Sequence, residues 1–86
     1  MMQQELFPKE VTGKVPRITL TGDELLHVEQ HKGLIGYQPE EICFRTACGM
    51  LRVTGEGLRF RRYASEEAVI TGRICSVNIQ PEGGRR

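Results

Sequence analysis

Tryptophan is absent, tyrosine occurs twice, and the two histidines fall together in His27-Val28-Glu29-Gln30-His31. With Tyr37 and Tyr63 beside turns, so few aromatics offer no platform on which nucleic-acid bases could stack. The net charge is only +1, which excludes the strongly basic balance of an obligate phosphate-backbone binder. No run approaches the roughly 18 apolar residues of a membrane-spanning helix, and no apolar h-region opens the sequence as a signal peptide would. The three cysteines, Cys43, Cys48 and Cys75, are an odd number without Cys-x-x-Cys spacing, so a reducing cytosol is the expected compartment. Neither a Gly-rich phosphate loop nor a nucleophile elbow is present, and no enzymatic activity is expected.

What the sequence does hold is alternation. At 86 residues it makes one domain with a thin core, burying about 60% of the surface that its unfolded form exposes. Residues 1–16 read as an irregular lead-in with room for a short helical turn at 3–7, residues 17–80 as a single β domain, and 81–86 as a frayed tail. Ile18 and Leu20 alternate with Thr19 and Thr21 ahead of Gly22, as in a half-buried strand. The segment Leu25–Glu29 has some helical character, with Asp23 near an N-cap position. Its shortness and the flanking Gly22 and Gly33 favour a strand. Gly33-Leu34-Ile35-Gly36-Tyr37 carries hairpin chemistry closed by Pro39.

Farther on, Ile42, Phe44 and Thr46 alternate against Cys43 and Arg45, and Leu51 and Val53 against Met50, Arg52 and Thr54. Pairing Phe44 with Val53 leaves Cys48-Gly49 as a two-residue turn, with Gly49 supplying positive φ. Pairing Val53 with Leu58 and Leu51 with Phe60 makes Gly55-Glu56 the next such turn. Residues 68–71 and 73–79 read as strands joined or bent at Gly72, with Cys75, Val77 and Ile79 on the buried face. About seven strands at spacings near 8 residues predict an all-β fold, a small antiparallel β-meander curled into an open barrel or sandwich. The recurring apolar-Thr-Gly of Val11-Thr12-Gly13, Leu20-Thr21-Gly22, Val53-Thr54-Gly55 and Ile70-Thr71-Gly72 keeps a short β-solenoid-like stack as the alternative.

Candidate chemistry is sparse. On a strand His27 and His31 stand roughly 13 Å apart, too far to share a metal, so they read as polar residues flanking a turn. The cysteines read as small structural hydrophobes, and Glu40-Glu41 and Glu66-Glu67 as solvated pairs beside turns. Neither cofactor nor metal is expected. The arginines are another matter: the register above sets Arg45 opposite Arg52 and Arg52 opposite Arg59, with Arg61 two residues beyond. Such a row is either a solvated face relieved by Glu41 or Glu56, or an anion-facing surface for acidic protein, lipid headgroups or nucleic acid.

Taken in order, Leu6-Phe7-Pro8, Pro16-Arg17-Ile18-Thr19-Leu20-Thr21-Gly22, Glu29-Gln30-His31-Lys32-Gly33-Leu34, Gly49-Met50-Leu51-Arg52-Val53-Thr54-Gly55 and Ile70-Thr71-Gly72-Arg73-Ile74 form a pattern. With Glu41-Ile42, Leu58 and Glu66-Glu67 it resembles the YabP/YqfC sporulation proteins, the YqfC branch most closely. The resemblance implies a non-enzymatic protein made in the mother cell during endospore formation. It further implies a cytoplasmic protein, peripheral at the outer forespore membrane through an integral membrane partner of the YqfD type. Beside that partner, self-association into a homo-oligomer is open, and a small nucleic-acid-binding module using the arginine row is the alternative function. No residue roles come with the resemblance. From the residues themselves, Arg45, Arg52, Arg59 and Arg61, with His31 and Lys32 in a polar tip at Glu29-Gln30-His31-Lys32-Gly33, are the candidate docking surface.

Overall fold

The computed structural model describes residues 15–81. The turn expected at 3–7, and the lead-in and tail apart from residues 15, 16 and 81, lie outside the described residues. Six strands, β1 (Arg17–Thr21), β2 (Leu25–Glu29), β3 (Gly33–Gln38), β4 (Glu41–Thr46), β5 (Gly49–Tyr63) and β6 (Glu67–Gln80), form one antiparallel sheet in the order β1-β2-β6-β5-β4-β3. The all-β expectation holds, in the form of an open sheet. The ambiguous segment Leu25–Glu29 is a strand, its alternate residues Leu26 and Val28 buried.

The two longest strands organise the rest. β5 has 15 residues and β6 has 14, and their pairing is interrupted by irregularities at Thr54/Gly55, Glu56/Arg59 and Phe60/Arg62. Bulges of this kind bend a strand and increase its twist. At the bend the backbones come so close that a Cβ on Gly72, whose φ is +126°, would lie 2.6 Å from the Gly57 carbonyl oxygen. The hairpin therefore serves two halves of the sheet. Its near half, 49–54 of β5 with 76–80 of β6, carries β4 and then β3. Its far half, 59–63 with 68–71, carries β2 and then β1.

Both halves contribute to one core. Leu26, Val28, Ala68 and Ile70 from one side and Ile42, Phe44, Leu51 and Val53 from the other are fully buried, in a single cluster completed by Leu58 and Ile74. Each large side chain so buried contributes roughly 1.5–3 kcal/mol. The halves are joined through residues 30–32, where Gln30, at φ 67°, donates its N–H to Glu66 O at 2.7 Å and Lys32 donates to Arg45 O at 2.7 Å. The β3–β4 turn closes against the bend, with Leu58 donating to Pro39 O at 2.8 Å.

Several expectations are corrected. Phe44 lies opposite Leu51 and Ile42 opposite Val53, two residues away from the predicted register. A shift of two preserves every side chain's face, so alternation cannot detect it. The turn decides: Thr46 pairs with Gly49, its hydroxyl accepting the Cys48 N–H at 3.0 Å and donating to Gly49 O at 2.7 Å. The turn residues are thus Ala47 and Cys48, stabilised as Ser and Thr hydroxyls stabilise tight turns. Gly55-Glu56 is not a turn but part of continuous β5, because Gly55 accommodates the close approach of Arg73. Cys48 and Cys75 are exposed rather than buried, and Cys43 is intermediate. Nor do Val77 and Ile79 mark a buried face, being 36% and 41% exposed.

Candidate functional site

The corrected register breaks up the arginine row. Arg45 stands opposite Met50 on one side and Gly33 on the other. Arg52 stands between Cys43 and Asn78, its Nε 2.8 Å from Glu41 Oε2. These two arginines lie in the near half of the sheet and do not oppose each other. Arg59, opposite Thr71, and Arg61, the unpaired residue of the Phe60/Arg62 irregularity, lie in the far half beside the bend.

There they do meet a cluster. The turn between β1 and β2 reaches the bend through a hydrogen bond donated by Ile74 to Asp23 O at 2.8 Å. Between that turn and the bent hairpin runs an open groove of about 550 Å³, with Arg59, Arg61 and Arg73 among its lining residues together with Asp23, Glu24 and the half-buried Leu25. None of these three guanidinium groups forms an ion pair within 4 Å among the described residues. Among the described residues the groove therefore presents three cations free of ion pairs, with two carboxylates and an aliphatic side chain beside them. Arg73 escapes a sequence reading because only the bend, not strand alternation, brings it beside Arg59. Asp23 and Glu24 escape it because the sequence suggests at most a helix N-cap at Asp23, and only the fold brings the β1–β2 turn to the bend.

The same outer face continues into a charged cluster. His27 Nε2 donates to Glu67 Oε2 at 2.6 Å, its Nδ1 lies 3.4 Å from Glu29 Oε2, and Arg62 stands 3.7 Å from Glu67 Oε1. The hydrogen bond from His27, with Arg62 adding its charge, holds the Glu67 carboxyl below its ordinary range against a smaller opposing desolvation. Glu66, Glu67 and Glu29 border the far end of this face. The face thus carries both signs at each end, three arginines with two carboxylates at the bend and three carboxylates with His27 and Arg62 toward residues 29 and 66.

His31 and Lys32 do not form the polar tip that their composition suggests. His31 is 1% exposed. Its ring is stacked against Tyr63 at a centroid distance of 5.5 Å and tilted against Phe44. Its Nδ1 accepts the Gly33 N–H at 3.0 Å, which leaves Nε2 to donate to Ala64 O at 3.1 Å. His31 is thus the neutral ring that ties residues 30–32 to the core, while the Lys32 side chain is exposed. Among the described residues no group of three or more His, Cys, Asp or Glu side chains is arranged to hold a metal ion.

Comparison with known proteins bears on the family to which the chain is similar. The family model described as the YabP family matches residues 12–86. The protein YqfC of Bacillus subtilis (strain 168) is 27% identical over 68 residues, covering 79% of this chain and 73% of that protein. No solved structure matches.

Proposed function

This chain belongs to the YabP family, which places it among sporulation-associated proteins, and we propose that in that setting it is a non-enzymatic docking module that seats a segment of a protein partner in the groove at its bend. The observation that carries this reading is the mixed lining of the groove, Arg59, Arg61 and Arg73 beside Asp23, Glu24 and Leu25. A polyanion such as nucleic acid would meet repulsion from the two carboxylates along with attraction from the arginines. A polypeptide with acidic, basic and apolar side chains can satisfy all of them. Complementary charge of this kind selects the partner and its register more than it adds raw affinity.

The partner in this reading is an integral membrane protein of the YqfD type, and the place is the mother-cell face of the forespore envelope. No helix among the described residues is long and apolar enough to cross a membrane; in this reading it is the partner that holds the chain at the bilayer. The test is co-purification of the full chain with a YqfD-type protein in detergent. Capture is expected to fall at least about tenfold for Arg59→Glu combined with Arg61→Glu, and to weaken as salt rises. Arg45→Glu, outside the groove, should leave it unchanged. Capture indifferent to salt and to the groove pair would remove this reading.

A further inference from the structure

The far end of β6 is an edge with a defined beginning and end. Residues 76–80 pair with β5 on one side, whereas β2, the neighbour on the other side, stops at Thr71. Upstream, the Ile74 N–H is already taken by Asp23 O. Downstream, Pro81 has no N–H to offer. Between these limits the main chain of Ser76, Val77, Asn78, Ile79 and Gln80 has no strand partner on its outer side among the described residues.

Natural sheets usually blunt such edges with charge, proline or a bulge. The other edge of this half of the sheet, β3, has an irregularity at Leu34/Gly36. Residues 76–80 have regular pairing with β5 and no charged side chain. They also carry apolar side chains at the margin of the core: Val77 beside Val53 and Ile79 beside Leu51, the β5 residues fully buried and the β6 residues 36% and 41% exposed.

We propose that this edge pairs antiparallel with the same edge of a second copy of the chain. A two-fold axis at Asn78 sets Val77 of one copy against Ile79 of the other, twice, and Ser76 against Gln80. The apolar pairs then extend the core face, and the polar pairs the outer face, across the junction. The absence of charge favours a second copy in particular. A two-fold junction brings each side chain close to its own counterpart, so any charge near the axis would face its like. Among the described residues the closest charge to the axis on the outer face, Arg52, is one strand away and engaged by Glu41.

The test uses full-length chain and sedimentation from micromolar to millimolar concentration. The unmodified chain is expected to show a monomer–dimer equilibrium. Asn78→Asp places a carboxylate beside Arg52 within one copy, so the fold is retained, but opposes two carboxylates across the axis and should raise the dissociation constant at least about tenfold. Asn78→Lys should do the same, and an equimolar mixture of the two variants should dimerise again. Circular dichroism melts verify that each variant is folded. A chain monomeric throughout, a dimer insensitive to both variants, or open-ended growth by pairing of β6 with β3 would each overturn the proposal.

Discussion

The imidazole of His31 lies 4.8 Å from the Phe44 ring, centroid to centroid, with the planes inclined by 36°. One residue belongs to the connection between β2 and β3, the other to β4, so this contact fastens the crossing between the two halves of the sheet. His31→Ala removes the packing and both hydrogen bonds, and is expected to lower unfolding stability by about 2–4 kcal/mol. His31→Phe keeps the packing but leaves the Gly33 N–H unmatched and the Ala64 carbonyl with only the 3.4 Å hydrogen bond from the Glu67 N–H, for a loss of about 1–3 kcal/mol. Denaturant melts of the two variants measure the difference; wild-type stability in both would show that the crossing is held by other contacts.

Arg52 and Glu41 form an ion pair with both side chains nearly half exposed, at 45% and 40%. Solvent screening limits such a pair to about 0.2–1 kcal/mol. Arg52→Glu should therefore destabilise slightly, by placing like charges together, and exchanging the two residues should recover the loss. A double-mutant cycle isolates the coupling. An increase in stability for Arg52→Glu alone would mean that repulsion among the arginines outweighs this pair.

Glu67 gives the fold an acid-sensitive element. Because the folded protein holds its carboxyl below the ordinary range, the unfolded chain binds the proton more tightly. The resulting stabilisation is present above the unfolded carboxyl pKa and is lost as pH falls through the depressed folded value. Melts from neutral to strongly acidic pH should show a loss in the unmodified protein that is smaller in Glu67→Gln. Identical acid profiles would show that the hydrogen bond from His27 contributes nothing to stability.

How much of this was legible depends on the kind of information each residue carries. Alternation at Ile42, Phe44, Leu51 and Val53 identifies the buried face correctly, yet it defines register only modulo two. The deciding information, the Thr46 hydroxyl serving the Ala47-Cys48 turn, is a local hydrogen-bond preference that alternation does not contain. Gly55-Glu56 resembles a type II′ turn because glycine suits a turn and a close backbone approach equally well; only the partner strand tells them apart. Likewise, Val77 and Ile79 have the spacing of core residues, but whether anything covers them depends on where β2 ends. His31 reads as polar because its aromatic neighbours come from β4 and the end of β5. Arg45, Arg52, Arg59 and Arg61 read as one row from alternation alone, whereas the separation of Arg59 and Arg61 from Arg45 and Arg52 is a product of the bend.

The pairing of β2 with β6 also bears on the order in which the molecule assembles. β3 to β6 can form as successive hairpins between neighbours in sequence, whereas Glu29 must find Glu67 and Leu25 must find Thr71, contacts whose long chain separation makes loop closure slow. The hairpin of β1 and β2 is therefore expected to dock after the transition state, onto a meander already in place. Changes at Leu26, Val28 or His31 should then accelerate unfolding while leaving the refolding rate nearly untouched. In kinetic terms, the lifetime of the native protein is set by the crossing at residues 30–32 and its speed of formation by the meander.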